Sequence, residues 1–189
     1  IAVGYLFSAI LLLHFSRKQQ IVATIFLLIS YWALITFLGD FTPQGNFAEK
    51  IDRAVLGRLR DGVWYESEKW HFSDHYHYTW ILTSMAFIVT TILGGFAGQI
   101  MKYGTDQLKN SRQLLIIGLI LLLFGWLLSY QTPIIKKIWS ASMTLWSGGW
   151  CFLLMALFYY LIDVKGYSKG VNWLKIYGMN SITAYTLGM

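Results

Sequence analysis

The chain has 189 residues, of which 56% are hydrophobic, 17% aromatic and only 13% charged. Soluble domains carry roughly 25% charged residues, so these proportions favour a protein of the lipid bilayer over a soluble domain. A single cysteine excludes a disulfide framework and a cysteine-based metal site. The formal net charge of +6 is explained by membrane topology, without a nucleic-acid partner.

Long apolar runs follow one another along the chain, and a spanning helix needs roughly 20 apolar residues. The first run, 1–15, opens without methionine and is shorter than a span, and the last, 173–189, stops on apolar residues. The clearest spans are 21–39, 78–101, 113–130 and 140–162. We predict an all-α, polytopic transmembrane bundle with five to six helices. It forms one membrane domain over 1–189, which we expect to be an internal fragment truncated at both ends.

The distribution of lysine and arginine predicts which connectors face the cytoplasm, because cytoplasmic connectors carry more of these residues. In the long segment 40–77, five lysines and arginines are outnumbered by seven acids. We therefore predict that loop 40–77 is extracytoplasmic, with Lys136 and Lys137 on the same side. The basic residues assigned to the cytoplasmic side are Arg17, Lys18, Lys102, Lys109, Arg112, Lys165, Lys169 and Lys175.

Within this loop, the sequence predicts one short amphipathic helix. Asn46 followed by Glu49 is typical of a capping box, and Gly57 or the following Asp-Gly pair should end the helix. Its opposite face is charged, with Glu49 four residues before Arg53 for a helical ion pair. Apolar residues recur every fourth position: Phe47, Ile51, Val55 and Leu59. The helix should lie on the membrane surface or over the mouth of the bundle.

The segment 64–80 is the densest cluster of aromatic and titratable side chains. It suits stacking on the apolar faces of a sugar, and it equally suits an aromatic belt at the membrane interface. A third possibility is a metal site built from His71, Asp74, His75 and His77, but their spacing matches no closed zinc pattern, and we predict no metal. His75 and His77 are weak candidates for general acid or base, because imidazole titrates near neutral pH.

Small and polar residues mark three of the apolar runs. Thr90, Gly94 and Gly98 are four residues apart, a spacing that allows close helix packing within the fold or a homodimer. Asn180 is an amide inside the last run and needs a partner, either a neighbouring helix or a ligand. A further stripe either bonds to neighbouring backbone or lines a path: Ser140, Thr144, Ser147 and Cys151.

The sequence resembles the transmembrane acyltransferase family of heparan-α-glucosaminide N-acetyltransferase and its bacterial relatives. Three stretches carry the resemblance in the family's order: 46–57 (NFAEKIDRAVLG), 80–98 (WILTSMAFIVTTILGGFAG) and 139–185, with LIDVKGYS and YGMNSITAY. Two features differ. The family's presumed catalytic histidine lies on a segment upstream of Ile1, so the catalytic residue is unassigned here. The Asp-Pro-Glu-Gly stretch of the heparan enzyme is replaced by residues 77–80, His-Tyr-Thr-Trp.

The resemblance implies an enzyme that moves an acetyl group from cytoplasmic acetyl-CoA to an amino sugar or other saccharide on the extracytoplasmic side. It implies acceptor contacts at Asp52, Arg53 and Asn180, with proton relay by the two loop histidines. Lys102 and Lys169 would meet the coenzyme phosphates. The rival prediction is an amino-sugar transporter or permease subunit. No Asn-x-Ser/Thr sequon occurs, which favours a bacterial inner-membrane protein.

Overall fold

The computed structural model describes residues 2–42, 45–73 and 78–167, together with 176, 178–180 and 186. Its helices are α1 (Ala2–His14), α2 (Arg17–Leu38), α3 (Phe47–Leu56), α4 (Thr83–Tyr103), α5 (Gln107–Ser129) and α6 (Ala141–Tyr159), which a π-helical turn extends over Tyr160–Val164. In this part of the chain, four helices are long and apolar enough to cross a membrane, and α1 is a shorter apolar helix. The predicted all-α membrane bundle is confirmed.

The long loop and the connector between α5 and α6 lie at the same end of the bundle. The Thr79 amide donates to the Lys137 carbonyl at 3.4 Å, and the Tyr31 hydroxyl donates to the Ile138 carbonyl. We call this the loop end and the other the opposite end. At the opposite end, the buried side-chain amide of Gln20 donates to the carbonyls of Leu12 and Phe15, near the end of α1. Its oxygen accepts from Gln99 of α4 at 3.2 Å.

Helix α3 packs over the mouth of the bundle, which confirms one of its two predicted positions. Its buried Ala48 joins Tyr31 of α2, Ala86 of α4 and Ile138 in one apolar cluster. Asn46 caps the helix by accepting from the amides of residues 48 and 49, at 2.9 and 3.3 Å. The helix ends as predicted at Leu56, where Gly57 follows with φ +52°, a conformation that glycine adopts without steric cost.

The predicted apolar stripe of α3 is wrong at its C-terminal end. Phe47 and Ile51 pack against the cluster, whereas Val55 and Leu59 are each 69% exposed. Residues four apart on a helix overshoot a full turn by about 40°, so the stripe has rotated away from the bundle at Val55, and Leu59 lies beyond the end of the helix. The buried face of α3 instead includes Glu49 and Asp52. The sequence predicted both of these residues on the charged face, opposite the apolar stripe.

A two-stranded antiparallel hairpin follows α3 and was not predicted. Strand β1 (Val63–Glu66) pairs with β2 (Lys69–Phe72), with Trp64 opposite His71 and Tyr65 opposite Trp70. The two-residue turn has φ values of +52° and +63° at Ser67 and Glu68. Such turns normally carry Asn-Gly or Asp-Gly. The sequence therefore lacks the residues by which this hairpin would be recognised.

Helices α5 and α6 approach each other closely through glycines. A Cβ on Gly149 would lie 2.8 Å from the Leu122 amide and 2.9 Å from the Gly118 carbonyl. By contrast, a Cβ on Gly94 or Gly98 would meet no described residue within 4 Å. The roles of the α4 stripe in helix packing and in a homodimer therefore stay predictions.

Candidate active site

Glu49 is the centre of a buried ion network at the loop end. Its Oε1 accepts from Arg60 Nη1 at 2.8 Å and from Arg53 Nε at 3.0 Å. Arg60, whose side chain is 2% exposed, also donates to the Asp61 and Ser73 carbonyls at 3.1 and 2.9 Å. The predicted Glu49–Arg53 pair is confirmed, and the network fastens both ends of the hairpin to α3.

Asp52 connects α3 to the start of α4. Its carboxylate accepts from the backbone amides of Trp80 and Ile81 at 2.6 and 3.1 Å, and the residue is only 2% exposed. Burial raises the pKa of this carboxyl, while the two amide hydrogen bonds act in the opposite direction. These bonds fix the turn that leads into α4, which gives Asp52 a structural role.

An outer cavity of about 300 Å³ opens beside this helix start. Its aromatic walls come from two connectors and from Phe87 of α4, and its basic groups are Lys136 and Lys137. The full lining is Tyr78, Thr79, Trp80, Phe87, Lys136, Lys137 and Trp139. Aromatic faces with a few polar groups at the rim suit the binding of a small polar molecule with apolar faces, such as a sugar.

The connector that carries the lysines and Trp139 is held from several sides. Besides the Tyr31 bond to Ile138, the Trp32 indole donates to Thr132 Oγ1 at 3.1 Å. Ser140 Oγ donates to the Pro133 carbonyl at 2.8 Å and accepts from the Ile135 amide at 3.1 Å. These bonds fix the backbone, so the cavity wall is preformed.

A second cavity, the intramembrane groove, runs between α4 and α6 and has a volume of about 230 Å³. It begins at Thr90 and Ser147 and extends toward the opposite end as far as Met101 and Met155. The remaining lining residues are Leu93, Gly94, Ala97, Gly98, Gly148, Cys151 and Phe152. The predicted α4 stripe and part of the predicted α6 stripe therefore meet in one narrow apolar groove.

Hydroxyls of the α6 stripe bond to their own helix, as one of the two predictions for that stripe stated. Thr144 Oγ1 donates to the Ser140 carbonyl at 3.1 Å, and Ser147 Oγ donates to the Met143 carbonyl at 2.7 Å. These groups therefore stabilise backbone carbonyls and leave the groove wall mainly apolar.

One hydrogen-bonded pair of the described residues links the wall of the outer cavity to the wall of the groove. Trp139, which lines the outer cavity, donates its indole Nε1–H to Oγ1 of Thr90, which lines the groove, at 3.0 Å. Trp139 has φ +48°, a left-handed conformation that costs a bulky residue on the order of 1–3 kcal/mol and is concentrated at functional sites. The sequence gives no signal for this backbone conformation.

Comparison with known proteins gives two curated relatives. The chain is 30% identical over 152 residues to heparan-alpha-glucosaminide N-acetyltransferase of Mus musculus and 29% identical over 163 residues to the Homo sapiens enzyme. The chain is related to this acetyltransferase family. The alignments cover 75% and 78% of the chain but 23% and 24% of the relatives, so the chain spans about a quarter of their length. No family model matches the chain.

The relationship to heparan-alpha-glucosaminide N-acetyltransferase confirms the predicted resemblance, but it assigns no site residue. Arg53 is 49% exposed and paired with Glu49, and Asn180 is exposed, with its Nδ2 donating to the Ile176 carbonyl at 2.9 Å. Lys102 lies at the opposite end, 5.3 Å from the Tyr103 ring. His75, His77 and Lys169 lie outside the described residues. The acceptor and coenzyme roles of these residues stay predictions.

The aromatic cluster predicted at 64–80 divides into two parts in this relative of the acetyltransferase. The hairpin carries Trp64 stacked on His71, with ring centroids 5.5 Å apart, while Tyr78 and Trp80 line the outer cavity. Sequence reasoning assigned Lys136 and Lys137 to topology and gave Trp139 no role. The two lysines are adjacent in the sequence, but their position beside Tyr78 and Trp80 is evident only from the fold.

Proposed function

We propose that this chain forms the transfer region of a membrane-bound acyltransferase, which moves an acetyl group from acetyl-CoA to the amine of a sugar. The observation that carries the proposal is the junction of the two cavities at Trp139 and Thr90. One cavity is aromatic and basic at the loop end, and the other is narrow and apolar within the membrane. The kinship to N-acetyltransferases supports an acyltransferase in general.

The outer cavity is the proposed acceptor site. Trp80 and Trp139 offer aromatic faces to the apolar faces of a sugar ring. Lys136 and Lys137 provide two positive charges beside the bound sugar, and nearby like charges favour the neutral form of an amine. A neutral amine is the nucleophile that acetyl transfer needs. The exposed Arg53 remains a proposed contact for an acidic group of the acceptor.

The groove is the proposed site of the acetyl thioester. Among the described residues it has room for a thin, extended arm, because a Cβ added at Gly94 or Gly98 would meet none of their atoms within 4 Å. The coenzyme phosphates stay at the opposite end, near Lys102, because burying them in the groove would cost far too much free energy. In the transfer step, the amine nitrogen bonds to the thioester carbon and the carbon–sulfur bond breaks. The amine proton passes to the leaving thiolate, with His75 or His77 as proposed carriers.

The proposed orientation places the loop end outside the cytoplasm, in a bacterial inner membrane. It is supported by the charges of the connectors: Arg17, Lys18, Lys102, Lys109 and Arg112 lie at the opposite end, whereas seven acids outnumber five lysines and arginines in the loop 40–77. With this orientation the bulky, charged coenzyme never crosses the bilayer. Only the acetyl group does.

Acetyl transfer by the full-length protein in detergent tests the proposal. The assay follows label from acetyl-CoA into N-acetylglucosamine, with glucosamine as the acceptor probe. Gly98→Leu fills the groove and should raise the KM for acetyl-CoA while the KM for glucosamine stays constant. Lys137→Ala should raise the KM for glucosamine while the KM for acetyl-CoA stays constant. Leu119→Ala, at an exposed position of α5 outside both cavities, is the control and should change neither constant.

The rival function, an amino-sugar transporter or permease subunit, gives a different result. Sealed vesicles would then accumulate unmodified glucosamine without any coenzyme, and purified protein would transfer no label. An acyltransferase with the groove in another role would transfer label but show the same KM for acetyl-CoA in Gly98→Leu. That result would contradict the groove as the site of the thioester but would leave the proposed acyltransferase activity supported.

A further inference from the structure

Trp139 is held in place more firmly than an aromatic cavity wall requires. Its indole N–H donates to Thr90 Oγ1 at 3.0 Å, and its ring lies 5.0 Å from the Phe87 ring. Its neighbours in the chain are almost fully buried, with Ile138 at 0% and Ser140 at 1% exposure. These contacts hold a left-handed backbone conformation that a tryptophan would otherwise avoid.

Thr90 is oriented to accept this hydrogen bond. Its hydroxyl donates to the Ala86 carbonyl of its own helix at 2.9 Å, so the oxygen lone pairs are left to face the indole. A threonine that bonds to its own helix in this way has one fixed rotamer. The pair therefore has a defined direction, from the α5–α6 connector to α4.

Open space begins directly beyond this pair. Gly94 is one helical turn from Thr90, and no atom of the part of the chain that the structure describes lies within 4 Å of where a Cβ on Gly94 or Gly98 would stand. On α6, a Cβ at Gly148 would contact Leu93 at 3.1 Å and no other described residue within 4 Å. At this junction, the described structure therefore places the indole of Trp139 and the hydroxyl of Thr90 between the cavity and the groove.

We propose that Trp139 is the partition between the outer cavity and the intramembrane groove, closed by its hydrogen bond to Thr90. Displacing the indole joins the two spaces, so that a group at the end of the groove meets a ligand in the outer cavity. Trp139 is thus a positioning residue: it sets where the spaces meet and when. The inference rests on the proposed function only for the identity of the two ligands.

Cys151 provides a natural reporter, because it is an exposed, free cysteine that lines the groove. An impermeant cationic methanethiosulfonate is applied to membranes containing the full-length protein. The labelled peptide that contains Cys151 is quantified by mass spectrometry. Trp70→Cys in a Cys151→Ser background identifies the preparation in which the loop end faces the reagent, since position 70 lies on the exposed hairpin.

From the loop side, Cys151 of the native protein should react slowly. Trp139→Ala should raise the labelling rate by on the order of tenfold or more. Thr90→Val keeps the shape but removes the acceptor, and it should raise the rate by about fivefold, the effect of losing one neutral hydrogen bond. Trp139→Phe, which keeps a ring without the N–H, should act in the same direction. Trp64→Ala removes a tryptophan of the hairpin and should leave the rate unchanged.

Labelling in detergent shows that the reporter is reactive, and Ser147→Cys, one turn nearer the partition, replaces Cys151 if the native thiol is too slow. The proposal is overturned if the native protein reacts as fast as Trp139→Ala. It is also overturned if Trp139→Ala, Trp139→Phe and Thr90→Val all leave the rate of the reactive reporter unchanged. Labelling needs no coenzyme, so a failure of acetyl transfer would not affect the labelling result. A failure of the labelling prediction would likewise leave the acetyl-transfer result unaffected.

Discussion

Two arginines form ion pairs with the same oxygen of Glu49, so the contributions of a buried and an exposed pair to stability can be compared directly. Its Oε1 lies 2.8 Å from Arg60 and 3.0 Å from Arg53, but the Arg60 side chain is 2% exposed and that of Arg53 49%. We expect Arg60→Ala to lower the free energy of unfolding by about 3–5 kcal/mol, because it leaves a buried carboxylate without its main partner. Arg53→Ala should cost only about 0.2–1 kcal/mol, as exposed ion pairs do.

Thermal unfolding in detergent, followed by tryptophan fluorescence, measures both changes. For a chain of this size, 1 kcal/mol corresponds to a Tm shift of roughly 2–4 °C. Arg60→Ala should therefore lower the Tm by roughly 6–20 °C and Arg53→Ala by less than about 4 °C. Glu49→Leu combined with Arg60→Met should recover most of the loss, because an apolar pair of similar volume needs no charge partner. Equal shifts for the two arginine variants would refute the argument from burial.

Three further predictions concern stability. Asp52→Ala should lower the free energy of unfolding by about 1–3 kcal/mol, because the amides of Trp80 and Ile81 lose their acceptor; an unchanged Tm would contradict this structural role. Burial raises the pKa of Asp52 in the folded protein above its ordinary value of 3.8. The native protein should therefore lose stability relative to Asp52→Asn as the pH rises from 3.8 through the folded pKa. A difference in Tm that does not depend on pH would count against this. Gly149→Ala should cost about 1–3 kcal/mol by overpacking against backbone, whereas Gly98→Ala should leave the Tm the same or higher.

Much of the fold was predictable from the sequence because lipid imposes a simple rule on helix length. Runs 21–39, 78–101, 113–130 and 140–162 each correspond to a helix long enough to span the membrane. Asn46 and Gly57 marked the ends of α3 because capping depends on local residue type. The hairpin was missed because its turn residues, Ser67 and Glu68, are not those that favour positive φ.

The burial of individual polar residues was the part that the sequence could not give. Asp52 has its partners 28 and 29 residues away, at Trp80 and Ile81, and Glu49 bonds Arg60 eleven residues later. Local spacing contains no information on such contacts. The same holds for Trp139, whose partner Thr90 is 49 residues away on α4. The predicted histidines His75 and His77 lie outside the described residues, and their roles remain predictions.

The most direct test of the proposed transfer uses sealed inside-out vesicles that contain the full-length protein. Labelled acetyl-CoA is supplied outside, at the face that corresponds to the cytoplasm, and glucosamine is enclosed within. We predict that labelled N-acetylglucosamine forms inside intact vesicles and that the coenzyme stays outside. Product that forms only after the vesicles are permeabilised would contradict transfer across the bilayer through these two cavities.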